Sequence, residues 1–219
     1  MMPEFPEGTI TSMEPISAEQ LKKEGWGPGG TRDNWGDGPW RDEPDRVEWI
    51  EPETGYRCEI RRNRAGSLCG YVTVPEDHIW HGIEYSGCVN RHPQTEEKDW
   101  GYKVYPCLDY DKEDRCSSPE SMLRVHGGLT YSGKVDDGGW RYGFDTAHCG
   151  DYSPGMEATM RQLHVTSPNP YSDPDATFDP ITGIKHEHGL DEVYRDMSYV
   201  KSETESLAKQ LWAIHKVGI

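Results

Sequence analysis

Alternation of apolar and polar residues dominates the middle of the chain and predicts β-strands. The strand candidates are Val47–Ile50, Tyr56–Arg62, Ser67–Val74, Leu123–His126, Leu129–Ser132 and Trp140–Asp145. Residues 86–120 and 166–189 lack such a pattern and are polar, and the second stretch contains four prolines. These two stretches therefore predict long loops between the regular elements.

A different period marks the end of the sequence. Apolar residues recur there at steps of four and three: Val193, Met197, Val200, Thr204, Leu207, Leu211 and Ile214. This spacing predicts an amphipathic helix of roughly 25 residues, about 38 Å long, capped by Asp191. We expect its apolar stripe to pack on the sheet of the same subunit. Because the spacing is also heptad-like, a homodimer seam is the alternative.

The first part of the chain is rich in glycine and proline. Residues 1–46 predict an arm that packs on a single domain formed by 47–219, with one short helix candidate at 18–23. Three tryptophans would be costly to expose together, which favours a packed arm: Trp26, Trp35 and Trp40. The fold class predicted is α+β, with an antiparallel sheet of five or six strands, the long C-terminal helix and glycine-rich loops.

Charge narrows the range of partners. The chain has 219 residues, of which 23 are basic and 39 acidic, a net charge of −16. Nucleic-acid binding needs a basic face, so no direct nucleic-acid partner is expected. The longest apolar runs are far below ~18 residues and the sequence start does not resemble a signal peptide, so we expect no membrane partner and a cytoplasmic location.

Six cysteines occur without any C-x2-C pair, which argues against a zinc ribbon or a thioredoxin-type motif. In a cytoplasm, reduced thiols are the expected state. A two-residue turn at Asn63-Arg64 would place Cys58 opposite Cys69 in a hairpin. We interpret these two cysteines as small apolar residues that fill adjacent strands.

The candidate chemistry lies in two segments, HGGLTY at 126–131 and GWRYGFDTAHCGD at 139–151. His126 ends a strand candidate and precedes two glycines. Asp145, His148 and Asp151 follow another strand candidate at steps of three, a position from which loops commonly present functional groups.

An imidazole between two carboxylates has two chemical uses. The first is to bind a divalent metal ion, with His126, Asp145, His148 and Asp151 as ligands. The second is acid–base catalysis without a metal by His148, Asp145 and His126. A glycine-rich turn whose side chains bond to the backbone is the structural alternative. His78, His81 and Glu84, and His186 with His188, are weaker candidates for a site.

An arginine cluster suggests an anionic ligand. Arg57, Arg61, Arg62 and Arg64 fall within eight residues, and guanidinium groups suit bidentate contact with phosphate. We predict Arg61, Arg62 and Arg64 as substrate-binding residues, with Tyr131 and Trp140 stacking on a base. The alternatives are that the arginines pair with the abundant acids and that the aromatics belong to the core.

Several separated motifs resemble an uncharacterised family of small proteins of bacteriophages and of bacteria that carry phage genes. They are GPWRDEPDRVEW, TGYRCEIRRN, GSLCGYVTVP, RVHGGLTY, WRYGFDTAHCGD and YRDMSYVKSETESLAKQL. The resemblance covers most of residues 38–211 and implies a phage protein in a bacterial cytoplasm. By analogy it also implies a role against host defence, where many signals are nucleotides.

Three functions are therefore open. The first is a hydrolase that acts on a phosphorylated or nucleotide-like small molecule, with a metal at the histidine site. The second is a protein that sequesters such a small anionic ligand without turnover. The third is an acidic interaction protein that mimics nucleic acid.

Overall fold

The fold is built on a six-stranded antiparallel sheet with strand order β1-β2-β3-β4-β6-β5. The computed structural model describes residues 2–14, 19, 23, 31–89, 117–166, 177–179, 184–187 and 190–218. The sheet strands are β1 (Ile10–Ser12), β2 (Arg46–Ile50), β3 (Arg57–Arg62), β4 (Leu68–Val74), β5 (Tyr131–Lys134) and β6 (Trp140–Asp145). The α+β class and the antiparallel sheet predicted from the sequence are confirmed.

Three α-helices, two short 3-10 helices (Arg32–Asn34 and Pro39–Arg41) and a second sheet complete the described structure. The α-helices are α1 (Pro119–Met122), α2 (Pro154–Thr166) and α3 (Met197–Val217). The second sheet is an antiparallel meander of β7 (Thr177–Asp179), β8 (Ile184–Glu187) and β9 (Leu190–Val193). No helix among the described residues is long and apolar enough to cross a membrane.

Helix α3 packs across β3 and β4 and forms one side of the main core. Its stripe Met197, Val200, Thr204, Leu207 and Leu211 is buried, as the spacing predicts. At Gly70 of β4, a Cβ atom would overlap the Thr204 hydroxyl, so a glycine lets helix and sheet approach closely there. The hydroxyl of Thr204 donates to the carbonyl of Val200 at 2.7 Å, which explains how a polar residue fits the stripe.

The start of α3 differs from the prediction. The helix begins at Met197 and spans 21 residues, because Asp196, not Asp191, is the cap: its side chain accepts from the Tyr199 amide at 2.9 Å. Val193, the first residue of the predicted stripe, belongs to β9.

Two predicted elements, the strand at 123–126 and the loop at 166–189, differ in the structure, and the helix α2 was not predicted. Residues 123–126 form no strand; Gln210 of α3 instead accepts from the Arg124 amide and donates to its carbonyl. Residues 154–166 form α2, whose first residue, Pro154, is a favoured helix start although Pro-Gly resembles a turn. Within the predicted loop 166–189, β7 and β8 are strands.

Described parts of the N-terminal segment pack on the rest of the fold. Strand β1 pairs with β2 in the main sheet. Trp35 and Trp40 are buried in a second apolar cluster with Tyr152 and Tyr194. Trp26 and most of the helix candidate 18–23 lie outside the described residues.

A buried ion network holds this segment to the start of α3. Arg62 bonds to Glu43 at 2.9 Å, Asp45 at 3.1 Å and the Tyr194 hydroxyl at 2.7 Å. Glu43 also accepts from the Met197 amide at 2.9 Å. The network thereby fixes where the helix begins.

The cysteines behave differently from one another. Cys58 and Cys69 are free, buried thiols that do not face each other, because the β3–β4 loop spans residues 63–67 and Cys69 pairs with Arg61. Burial raises the pKa of Cys69 to about 11. Cys149 is free and exposed, whereas Cys88 is disulfide-bonded. The expectation of reduced thiols is therefore wrong at Cys88.

His78 lies under the end of α3 and is a site of pH sensitivity. Its Nε2 bonds to the Leu211 carbonyl at 3.0 Å and its Nδ1 accepts from the Trp80 amide. Burial lowers the pKa of His78 below 6.5; the Leu211 carbonyl opposes the shift, and the stacked His215 ring adds to it. His78 is thus neutral and structural rather than a ligand.

We expect the free energy of unfolding to fall as the pH drops below about 6.5, because the unfolded chain gains a proton that folded His78 resists. The loss levels off below the lowered pKa of the folded state. In His78→Asn, which keeps an acceptor for Trp80, the decline should be shallower. Chemical denaturation between pH 7.5 and 4.5 measures both curves. Parallel curves would contradict a lowered pKa at His78.

Candidate functional site

The site lies where the turn 125–128, the loop after β6 and the start of α3 meet. His126 sits in the turn, which closes through a bond from the Gly128 amide to the Val125 carbonyl. The His126 amide donates to Glu203 of α3 at 2.8 Å. Helix α3 therefore fixes the backbone that carries the imidazole.

His148 and Asp151 come from the loop that follows β6. The Thr146 hydroxyl donates to the Leu68 carbonyl and anchors the start of this loop on β4. At the other end, the Val193 amide donates to the Gly150 carbonyl at 2.9 Å. The loop thus joins the end of β9 and brings Asp151 into contact with Arg195.

Asp151 is the centre of the site. Its carboxylate is 1% exposed and lies 2.7 Å from Nε2 of His126 through Oδ2, while Oδ1 accepts from Nε of Arg195 at 2.8 Å. The His148 amide adds a third bond at 3.1 Å. Burial alone would raise the pKa of Asp151, but the bonds from Arg195 and His126 outweigh it and lower the pKa.

His126 is bonded at both ring nitrogens. An ionised carboxylate only accepts, so Nε2 donates a proton to Asp151 at 2.7 Å, and a ring whose single proton is on Nε2 accepts at Nδ1 from the Tyr199 hydroxyl at 3.0 Å. The Arg195 guanidinium lies over the Tyr199 ring, 5.0 Å from its centroid. A continuous chain of contacts therefore runs from Tyr199 through His126 and Asp151 to Arg195.

His148 faces this chain with an unused nitrogen. Its Nδ1 is buried and makes no hydrogen bond within the described structure. It lies 3.7 Å from Oδ2 of Asp151 and 3.8 Å from Oδ1 of Asp145. The ligand atoms of His126, His148 and Asp151 all lie within 4.8 Å of one another, so these three residues form the compact part of the predicted site.

Asp145 lies at its edge. The side chain is 30% exposed and accepts from the Thr130 hydroxyl at 2.9 Å and from the Ala147 amide at 3.0 Å. Among the described residues, it is not one of the group whose ligand atoms converge. The structure therefore brings together three of the four predicted metal ligands.

The three arginines predicted to bind substrate lie in different environments. Arg62 is 2% exposed and committed to the buried network with Glu43 and Asp45. Arg61 is 49% exposed and lies 3.4 Å from Glu59, whereas Arg64 lies in the loop after β3. The guanidinium of Arg62 therefore balances buried carboxylates, as the alternative of pairing with acids expects, and its role as a substrate ligand stays a prediction.

The two predicted stacking residues lie apart. Tyr131 is exposed and packs edge-on against Tyr71. Trp140 begins β6 and Asp145 ends it, a separation of about 17 Å at 3.3 Å per residue. Trp140 packs against the main core and beside His81, as the core alternative expects; its stacking on a base stays a prediction.

The other histidine candidates do not gather around one point. His81 bonds to the Gly138 carbonyl at 2.8 Å, while Glu84 accepts from Ser132. The side chains of His186 and His188 lie outside the described residues.

Sequence reasoning missed three residues of the site: Arg195, Tyr199 and Glu203. Arg195 directly precedes the Asp196 cap of α3, Tyr199 lies in the first turn of the helix, and the Arg195 guanidinium packs over the Tyr199 ring. Nothing local to the HGG or DTAHCGD segments points to them, because His126 and Tyr199 are 73 residues apart.

No family model, characterised protein or solved structure matches the chain. The resemblance to a phage family therefore stays a prediction.

Gly127 is the most exacting position of the turn. Its φ is +65°, and a Cβ atom there would overlap the imidazole ring of His148. Gly128 also has positive φ, +90°, but open space at the Cβ position. A side chain at either position would therefore strain the backbone, but only a side chain at 127 would also collide with His148.

We expect Gly127→Ala to displace His148 and to lower affinity for any ligand of the site, while Gly128→Ala retains it. Both variants should lose about 1 kcal/mol or more of stability from a positive φ. Thermal melts and histidine side-chain NMR shifts of the two variants measure the effects. Equal shifts of the His148 ring signals in both variants would contradict the packing argument.

Proposed function

We propose that this protein is a metal-dependent hydrolase that acts on a small phosphorylated or nucleotide-like substrate. His126, His148 and Asp151 would hold a divalent ion. The observation that carries the proposal is the convergence of two imidazoles on one buried carboxylate, with ligand atoms within 4.8 Å of one another.

The donor set suits zinc or a similar ion. Two imidazole nitrogens and one carboxylate oxygen are typical of catalytic zinc sites, which keep a fourth position open. Tetrahedral ligands at 2.0–2.1 Å from an ion are ~3.3–3.4 Å apart. The His126–Asp151 and His148–Asp151 separations, 2.7 and 3.7 Å, bracket that spacing. To hold an ion, the His126–Asp151 pair would have to open by about 0.6 Å and the His148–Asp151 pair would have to close by about 0.3 Å.

The surroundings of the three residues support the same proposal. A metal-binding histidine usually donates its other N–H to an oxygen, and ligating carboxylates are themselves hydrogen-bonded. With Nε2 of His126 on the ion, Nδ1–H would donate to the Tyr199 hydroxyl, and Arg195 already holds the second oxygen of Asp151. The unused Nδ1 of His148 would gain a partner.

A bound ion would supply Lewis-acid chemistry and lower the pKa of water. In the hydrolysis, a water oxygen bonds to phosphorus, the P–O bond to the leaving group breaks, and the leaving group takes up a proton. Asp145 lies next to His148 and is partly exposed, so its carboxylate would accept the proton that the water loses.

Metal binding is the first test. Calorimetric titration of Zn²⁺ and Mn²⁺ into protein pretreated with a chelator should give one site per chain. His126→Ala and His148→Ala should each weaken it by more than about 100-fold, while His81→Ala, outside the cluster, should not. Unweakened binding in the first two variants would refute the site.

Turnover is the second test. Wild-type protein should hydrolyse p-nitrophenyl phosphate, bis(p-nitrophenyl) phosphate or a nucleotide in a panel, and EDTA should abolish the activity.

Activity that survives chelation would favour a second candidate, a metal-free hydrolase. The direct bond of 2.7 Å between His126 and Asp151 favours that candidate, since Tyr199, His126 and Asp151 then form a proton relay.

A further inference from the structure

We infer that Arg195 is the phosphate-binding residue of the site and that it binds the anion only after the metal ion. The inference rests on the proposed metal site. It assigns recognition of the substrate to a residue outside the arginine cluster in β3.

Arg195 is held in place but keeps donors free. Its Nε bonds to Oδ1 of Asp151 at 2.8 Å, and its guanidinium lies over the Tyr199 ring. Within the described structure, the hydrogen bond that the guanidinium donates comes from Nε, none comes from Nη1 or Nη2, and the side chain is 28% exposed. Two N–H-bearing groups of a pre-oriented fork therefore remain for phosphate oxygens.

The position of Arg195 next to the proposed ion would allow both to bind the same phosphate group. Arg195 contacts Oδ1 of Asp151, and the ion would contact Oδ2 of the same carboxylate. A phosphate group next to the ion would therefore lie within reach of the guanidinium. Ion and arginine would neutralise different oxygens of one phosphate, the arrangement that favours phosphoryl transfer.

Charge sets the order of binding. Asp145, Asp151 and Glu203 border the site and Arg195 is its one contacting cation among the described residues, a local charge of −2 with neutral histidines. This net negative charge repels an anion. A bound divalent ion would bring the local charge to zero, so phosphate affinity should depend on the metal.

The experiment measures inorganic phosphate binding to the full chain by calorimetry, with and without the divalent ion that wild type binds. We expect phosphate to bind the metal-loaded wild type at least about tenfold more tightly than the metal-free protein. At metal saturation, Arg195→Gln should weaken phosphate binding at least about tenfold. Arg195→Lys, which keeps the charge without the fork, should be intermediate.

Arg161→Gln is the matched control, since Arg161 pairs only with Glu157 on the exposed side of α2 among the described residues; its phosphate affinity should be unchanged. If Arg195 merely holds Asp151, Arg195→Gln will weaken metal binding but leave phosphate affinity at metal saturation unchanged, which overturns the inference. Equal phosphate affinity with and without metal also overturns it. Absence of metal binding in wild type overturns the proposed function and, with it, this inference.

Discussion

Asp151→Asn should abolish metal binding, with a loss of affinity of at least about 100-fold. The substitution keeps the shape of the side chain but removes the charge and replaces one accepting oxygen by a donor. Both oxygens are used, one by His126 and one by Arg195. Because these bonds lower the pKa of Asp151, the wild-type carboxylate is charged wherever the histidines are neutral and free to bind an ion.

Stability should fall as well, since His126 and Arg195 lose a common acceptor; an unsatisfied buried group costs about 1–3 kcal/mol. Asp145→Asn is the matched control, because Asp145 is partly exposed and lies at the edge of the cluster. Its metal affinity should change by less than about threefold. Equal losses of metal affinity in the two variants would show that Asp145 is a ligand as well. Unchanged metal affinity in Asp151→Asn would refute the proposed metal site.

Arg62→Met should destabilise the fold by about 3–5 kcal/mol, the usual cost of breaking a buried ion pair from one side. Arg62 bonds to Glu43, Asp45, the Tyr194 hydroxyl and the Gly66 carbonyl. Its loss leaves Glu43 buried without its cation, although Arg32 still contacts Asp45. For a chain of this size, the melting temperature should fall by about 6 to 20 °C.

The adjacent residue supplies the control. Arg61→Met removes the same charge from the opposite face of β3, where Arg61 is 49% exposed and its partner Glu59 keeps Arg46 and Arg141 as cations. We therefore expect a cost of about 0–1 kcal/mol. Urea denaturation of both variants measures the difference. Similar losses would mean that the Glu43–Arg62 network does not stabilise the fold.

The regular elements were predictable where one face of each is buried. Strands β2 and β3 alternate apolar and polar residues, and the stripe of α3 recurs at helical spacing. Strand β4 is buried at nearly every position and was predictable from its β-prone residues instead. The pattern fails at residues 123–126, where Leu123 and Val125 contact the core but the backbone bonds to Gln210. Side-chain burial without strand pairing produces the same alternation.

The sequence predicted only those residues of the site that lie within two short segments. His126, His148 and Asp151 were found because glycines and closely spaced acids surround them. Arg195 and Tyr199 join through tertiary contacts, so their role depends on how α3 docks rather than on neighbours in sequence. Arg62 shows the same limit, since only the fold reveals that Glu43 and Asp45 lie beside it.

The docking of α3 also has a consequence for how the protein forms during synthesis. Strands β1 to β6 precede α3 in the chain, so an emerging polypeptide has a sheet without the helix that buries its core face. His126 and Asp151 likewise await Tyr199 and Arg195. Such distant contacts are slow to close. The nascent chain therefore exposes apolar sheet surface until the helix is released from the ribosome, the period in which chaperones would engage it.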